Sequence, residues 1–139
     1  MAKDTLSIDY DYSFFLLGIS CHQPIYKFCW SVNKTLKMGF KRVDDLMIQF
    51  KGKAGLIQYL KYEFIDDLAY REYYLLENHS EKSPLIPEHK QMDFFYIIKG
   101  NLTPTDCKVE LERMRTVPGL LAAFEINAEH LKSKENLIF

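Results

Sequence analysis

The sequence predicts an α+β protein: an antiparallel sheet of five to six strands, two main helices on one face, a ferredoxin-like split βαβ character, and a short C-terminal helix. Three observations carry this expectation. Aromatic and branched runs of strand length recur along the chain. The stretches after Pro24 and Pro104 change to helical or helix-capping patterns. The resulting order is strand, helix, two or three strands, then strand, helix, strand. With 139 residues, 47% apolar and 27% charged, the chain fits one domain over 1–139 whose core needs neither disulfide nor metal. No repeat, low-complexity tract or Gly/Ser-rich linker divides it.

The elements follow in order. Leu6, Ile8, Tyr10, Tyr12 and Phe14 alternate with polar residues and lead into Phe15-Leu16-Leu17-Gly18-Ile19, so a first strand is expected to end near Ser20. Pro24 suits a first helical turn, where no N–H is needed. Ile25, Phe28, Cys29, Val32 and Leu36 then share one face, and Gly39 offers a stop, which predicts a helix over 24–38. Residues 43–50 read equally as strand or short helix. Residues 56–65 and 70–78 are rich in Tyr, Phe, Ile and Leu around Asp66-Asp67-Leu68-Ala69, which predicts an antiparallel hairpin. Ser, Pro and charge make 79–90 a surface loop, and 93–99 the next strand.

Thr103-Pro104-Thr105-Asp106 combines a hydroxyl cap, a proline at the first helical position and an acid in the first turn, which predicts a second helix to about Arg115. Cys107, Leu111 and Met114 mark its apolar face, and Pro118-Gly119 separate it from a last strand over 120–126. The segment 127–139 is expected to form the short helix, capped by Asn127 and docked through Leu131 and Ile138. With both helices on one face, the other sheet face would carry alternate hairpin residues, many of them Tyr. If exposed, that face is a candidate surface for self-association.

Charge sets no partner class globally: eighteen Lys and Arg against nineteen Asp and Glu leave a formal charge of −1. Regionally the chain is dipolar, with seven basic and two acidic residues in 27–53 and two basic and six acidic in 61–81. Lys34, Lys37, Lys41 and Arg42 are read as complementing the C-terminal dipole of the first helix. Three cysteines without a CxxC pair disfavour a disulfide framework or zinc knuckle. The acidic residues near the N-terminus do not fit a secretory leader, and the apolar run 14–19 is far below the ~20 residues of a membrane span, so a cytoplasmic protein without a membrane partner is expected.

No chemistry-bearing motif is complete. His22, His79, His89 and His130 show no metal-ligand spacing, and no metal or cofactor is expected. Cys21-His22 before a helix is a nucleophile-like setting, but a strand-end Cys beside a lone His more often packs, so no catalytic residue is assigned. Asp44-Asp45 and Asp66-Asp67 are read as turn residues. Phe94-Phe95-Tyr96-Ile97-Ile98 has no neighbouring Arg, unlike an RNA-binding aromatic run, so no nucleic-acid partner is expected despite the basic stretch 27–53.

Ile86-Pro87-Glu88 followed by Met92-Asp93-Phe94 and Ile97-Ile98-Lys99-Gly100 resembles the signature of the IPExxxVDY family of small bacterial proteins. Met92 stands where the family has Val, and Phe94 where it has Tyr. The closing Ala123-Phe124-Glu125-Ile126, the last nine residues and the Cys29-Trp30 helix also look familial. The resemblance implies a cytoplasmic bacterial protein and carries no assigned activity. Read physically, Pro87 fixes the backbone entering the strand, Glu88 accepts hydrogen bonds near the turn, and Asp93 begins the sheet. A buried carboxylate there would need a donor such as Arg71, Arg42 or Lys99.

Two functions follow. The first is a non-catalytic module that self-associates, as a homodimer, through the aromatic sheet face or an exposed strand edge. The second is a small-ligand or enzymatic site made of Glu88, Asp93, Arg71, Tyr73 and His22 around the loop before strand 93–99.

Overall fold

A computed structural model describes residues 13–139. The chain runs β1 (Phe15–Cys21), α1 (Ile25–Leu36), β2 (Lys41–Arg42), β3 (Leu46–Ile48), β4 (Ile57–Tyr59), β5 (Lys61–Asp66), β6 (Arg71–Glu77), β7 (Phe94–Gly100), α2 (Pro104–Met114) and β8 (Leu120–Glu125). Short 3₁₀ turns lie at Pro87–His89, Ala128–His130 and Lys134–Leu137. The part of the first strand expected before Ser13 lies outside the described residues.

Among the described residues, six strands form one sheet in the order β2-β5-β6-β7-β1-β8, and every neighbouring pair is antiparallel. Because β1 and β6 both oppose β7, they run parallel with β7 between them. In the same way β7 and β8 run parallel with β1 between them, joined through α2. This is the split arrangement the sequence predicts, extended at one edge by β5 and β2. The central strands are apolar without alternation: all of Phe15, Leu16, Leu17, Ile19 and Cys21 are buried, since a strand covered on both faces has no solvent side.

On one face, α1 and α2 bury Ile25, Phe28, Val32 and Met114 against Leu17, Tyr96 and their neighbours, with Phe28 stacked on Phe94 at 5.5 Å between ring centres. The hydroxyl cap expected at Thr103 forms, and Asp106 returns its bond to complete a capping box: the Asp106 amide donates to the Thr103 hydroxyl (3.1 Å), and the Thr103 amide donates to the Asp106 carboxylate (2.9 Å). The stop of α1 differs from expectation. Lys37, not Gly39, takes the left-handed conformation (φ 57°), and its amide bonds the Asn33 carbonyl. The Asn33 side chain then accepts from the Phe40 amide (2.8 Å) and donates to the Phe40 carbonyl (3.0 Å), which fixes the reversal.

The opposite face is not an exposed tyrosine surface. Leu16, Tyr74, Leu76, Phe95 and Ile97 are buried under a second layer made of the separate β3–β4 hairpin, the loop before β7 and the C-terminal segment. Leu46, Tyr59, Leu85, Ile86, Leu131 and Leu137 supply its apolar contacts. Gly18 lets this layer close down: a Cβ there would stand 2.7 Å from the Met92 sulfur and 2.9 Å from Ile126 Cδ1. The single strand expected over 56–65 is divided at Leu60, because Ile57–Tyr59 pairs with β3 while Lys61–Asp66 pairs with β6. The ambiguous 43–50 resolves as a strand at Leu46–Ile48. The expected C-terminal helix is instead two 3₁₀ turns. Asn127 caps the first, accepting from the Glu129 amide (3.0 Å), and the second turns Leu137, rather than Ile138, fully inward.

Candidate functional site

The five residues grouped by the sequence as one ligand site separate into three places. Arg71 and Tyr73 lie on β6 against α2. The Arg71 guanidinium contacts Asp106 (3.1 Å) and Glu110 (3.3 Å) and donates through Nε to the Asn101 carbonyl (3.0 Å). Glu110, 3% exposed, is also met by Arg113 at 3.3 Å. Two cations on one buried carboxylate make a structural pairing, since an uncompensated charge there would be costly. Tyr73 is buried beside it, and that burial raises its phenol, with the Arg71 hydrogen bond opposing.

Glu88 lies on the outer layer and accepts from both the Ser133 amide and the Ser133 hydroxyl, each at 2.8 Å. Partial burial pushes its carboxyl up, yet the backbone donors at Glu88 and Ser133 and the Ser133 hydroxyl together hold it below the ordinary 4.5. An open depression of about 460 Å³ does lie beside it, bordered by His89, Glu125, His130 and Lys132 together with the apolar Ile126 and Leu131. The Glu88 carboxylate is directed to the C-terminal segment, where Asn136 also donates to the Leu85 carbonyl (2.8 Å).

His22 and Asp93 do come together, in a cleft of about 450 Å³ between the end of β1, the start of α1 and the entry to β7. Glu77 and His79 complete its rim. Asp93 accepts from the Cys21 amide (2.8 Å) and faces His79 Nε2 at 3.4 Å, so its partners are a backbone donor and an imidazole. The cationic donors considered from sequence are engaged elsewhere: Arg42 with Asp45 (2.6 Å), and Lys99 over the rings of Phe14, Tyr74 and Phe139. The nucleophile-like setting at Cys21 is not realised. Burial raises its thiol, the backbone hydrogen bond at Gln23 opposes this, and the Asp93 charge adds to the rise. Glu77 is raised as well, chiefly by burial, against the hydrogen bond at Leu60 and the charge of His79. Gln23 also lines the cleft, while its Oε1 is buried beside Gly119 and has no hydrogen-bond partner among the described residues. Among the described residues, no three His, Cys, Asp or Glu converge as a metal site.

Sequence reasoning missed two features. One is Asn78, fully buried, whose side-chain amide donates to the carbonyls of His89 (3.0 Å) and Met92 (2.8 Å) and accepts from the Ile86 amide (2.9 Å). It holds the loop that carries the Ile86-Pro87-Glu88 motif. The other is a pair of exposed apolar patches. Tyr26 and Trp30 stand 65% and 62% exposed on the outer side of α1, with the Lys34 ammonium 4.9 Å from the Trp30 ring. Leu68 and Tyr70 stand 95% and 78% exposed at the β5–β6 turn. The signal for the first was the i, i+4 spacing of Tyr26, Trp30 and Lys34 opposite the buried face.

The architecture defines an α+β protein with a sheet covered on both faces, an open cleft of mixed polar and apolar lining at one end and apolar groups presented on helix and hairpin. No helix among the described residues is long and apolar enough to cross a membrane. No family model matches the chain, and no curated protein matches it.

Proposed function

We propose that the chain is a non-catalytic protein that acts by self-association, a homodimer being its smallest form, and that it belongs in the bacterial cytoplasm with the family its motif resembles. The supporting observation is the exposure of Tyr26, Trp30, Leu68 and Tyr70 in a chain whose sheet already has both faces covered. Aromatic and aliphatic groups of this size each offer roughly 1.5–3 kcal/mol when withdrawn from water, enough for a few of them to drive association. The contact lies on the outer surface, because the aromatic sheet face is occupied from within the chain. Static light scattering from about 1 to about 200 µM tests this: mass above 16.4 kDa that rises with concentration supports it, and monomer mass throughout removes it.

A second reading, a small-ligand site, is supported by the cleft of about 450 Å³ that brings His22, Glu77, His79 and Asp93 together. Two carboxylates and two imidazoles suit a small hydrogen-bonding amine better than an anion. Titrating ethylamine and acetate into isotopically labelled protein separates the cases. Amide shifts confined to the cleft with ethylamine alone support the reading, and no localised shift with either ends it.

A further inference from the structure

Two surfaces of the chain are opposite in charge and alike in apolar character. The helix α1 carries no acidic residue; its outer side presents Tyr26, Lys27, Trp30 and Lys34. The tip of the β5–β6 hairpin presents Leu68 and Tyr70 between Asp67 and Glu72, all four exposed. The tip is also built to hold its shape. Tyr70 sits at φ 56°, its carbonyl accepts from the Asn101 amide (3.1 Å), and the Asp66 carboxylate accepts from the Ala69 amide (3.2 Å). Gly100 lies so close beneath that a Cβ would come 2.2 Å from the Tyr70 carbonyl oxygen. A turn backbone braced in this way loses little conformational freedom when the tip is covered, which lowers one of the usual costs of docking.

We infer that the hairpin tip of one copy docks on the outer face of α1 of a second copy, Leu68 and Tyr70 against Tyr26 and Trp30, with Asp67 and Glu72 facing Lys27 and Lys34. This rests on the self-association reading and names its contact. Like-signed tips repel one another, as do like-signed helix faces, so charge selects the tip-to-helix pairing over tip-to-tip or helix-to-helix. The two halves of the contact are different surfaces, and each copy owns both.

That asymmetry gives the test. Trp30→Ala removes the receiving surface, and Leu68→Asp removes the inserted one. Both positions are solvent-exposed, and circular dichroism melts confirm that each variant is folded. Each variant alone is expected to associate at least about tenfold more weakly than wild type. An equimolar mixture of the two is expected to recover a particle of about twice the 16.4 kDa chain mass, because one intact tip meets one intact helix face. Association is also expected to weaken with added salt. Variants that associate like wild type, or a mixture no heavier than its parts, overturn the tip-to-helix contact while leaving self-association through another surface, such as the β8 edge with Leu121 and Phe124, in place. Monomeric wild type at every concentration overturns both.

Discussion

Asn78 shows how one buried amide organises a segment that sequence describes only as loop. All of its side-chain bonds go to backbone groups of residues 86–92, and its own amide donates to the Asp93 carbonyl (3.0 Å). Replacement by Ala leaves buried backbone donors and acceptors unmatched and is expected to lower stability by about 2–4 kcal/mol in urea unfolding. From sequence Asn78 reads only as the last residue of the strand 70–78, and nothing local shows that its side chain reaches 8 to 14 residues along the chain. Glu88 and Asp93 were legible as acceptors from the motif, but their donors were not. Ser133 lies 45 positions from Glu88, and the Cys21 amide 72 from Asp93. The Glu88 carboxyl titrates below 4.5 when folded, so the stability it adds is complete above its unfolded value and is lost as pH falls through the lower folded one. The Ser133 amide resonance should therefore titrate with a midpoint below 4.5, and Glu88→Gln should abolish that step. Burial pushes the Cys29 thiol up to about 11, and maleimide labelling of Cys29 at pH 8 should be slow until denaturant is added.

Elements whose ends are decided by neighbours in sequence were readable; those decided by distant neighbours were not. Both bonds of the α2 capping box lie within Thr103-Pro104-Thr105-Asp106, and Thr103→Ala should cost about 1 kcal/mol in thermal or urea unfolding. At α1 the Gly39 signal pointed two residues too far, because the Asn33 side chain closes on Phe40 and forces the reversal at Lys37. The division of 56–65 at Leu60 leaves no mark in hydrophobic pattern, since both halves stay half-buried strands and only their partners change. The β5–β6 hairpin was legible from its aromatic runs, whereas its bracing by Gly100 was not. Gly100 combines φ 116° with contact on the Tyr70 carbonyl, so Gly100→Ala should destabilise by more than about 2 kcal/mol and loosen the tip.

At the scale of the molecule, helix layer and sheet order follow from the succession of periodicities, and the second layer does not. Its pieces are a three-residue-stranded hairpin, a proline-bearing loop and two 3₁₀ turns, each too short to announce a buried face by pattern alone. Their combined effect is that the tyrosine-bearing sheet face that sequence offered for association is consumed inside the chain. The helix stripe and the hairpin tip are among the apolar groups that remain outside. The chain has one tryptophan, and it stands on that stripe. Its emission, followed with iodide quenching as the protein is concentrated, tests the account most directly. A shift to the blue with falling quenching, parallel to the rise in scattering mass, is predicted. A water-exposed, fully quenchable Trp30 at every concentration would contradict it.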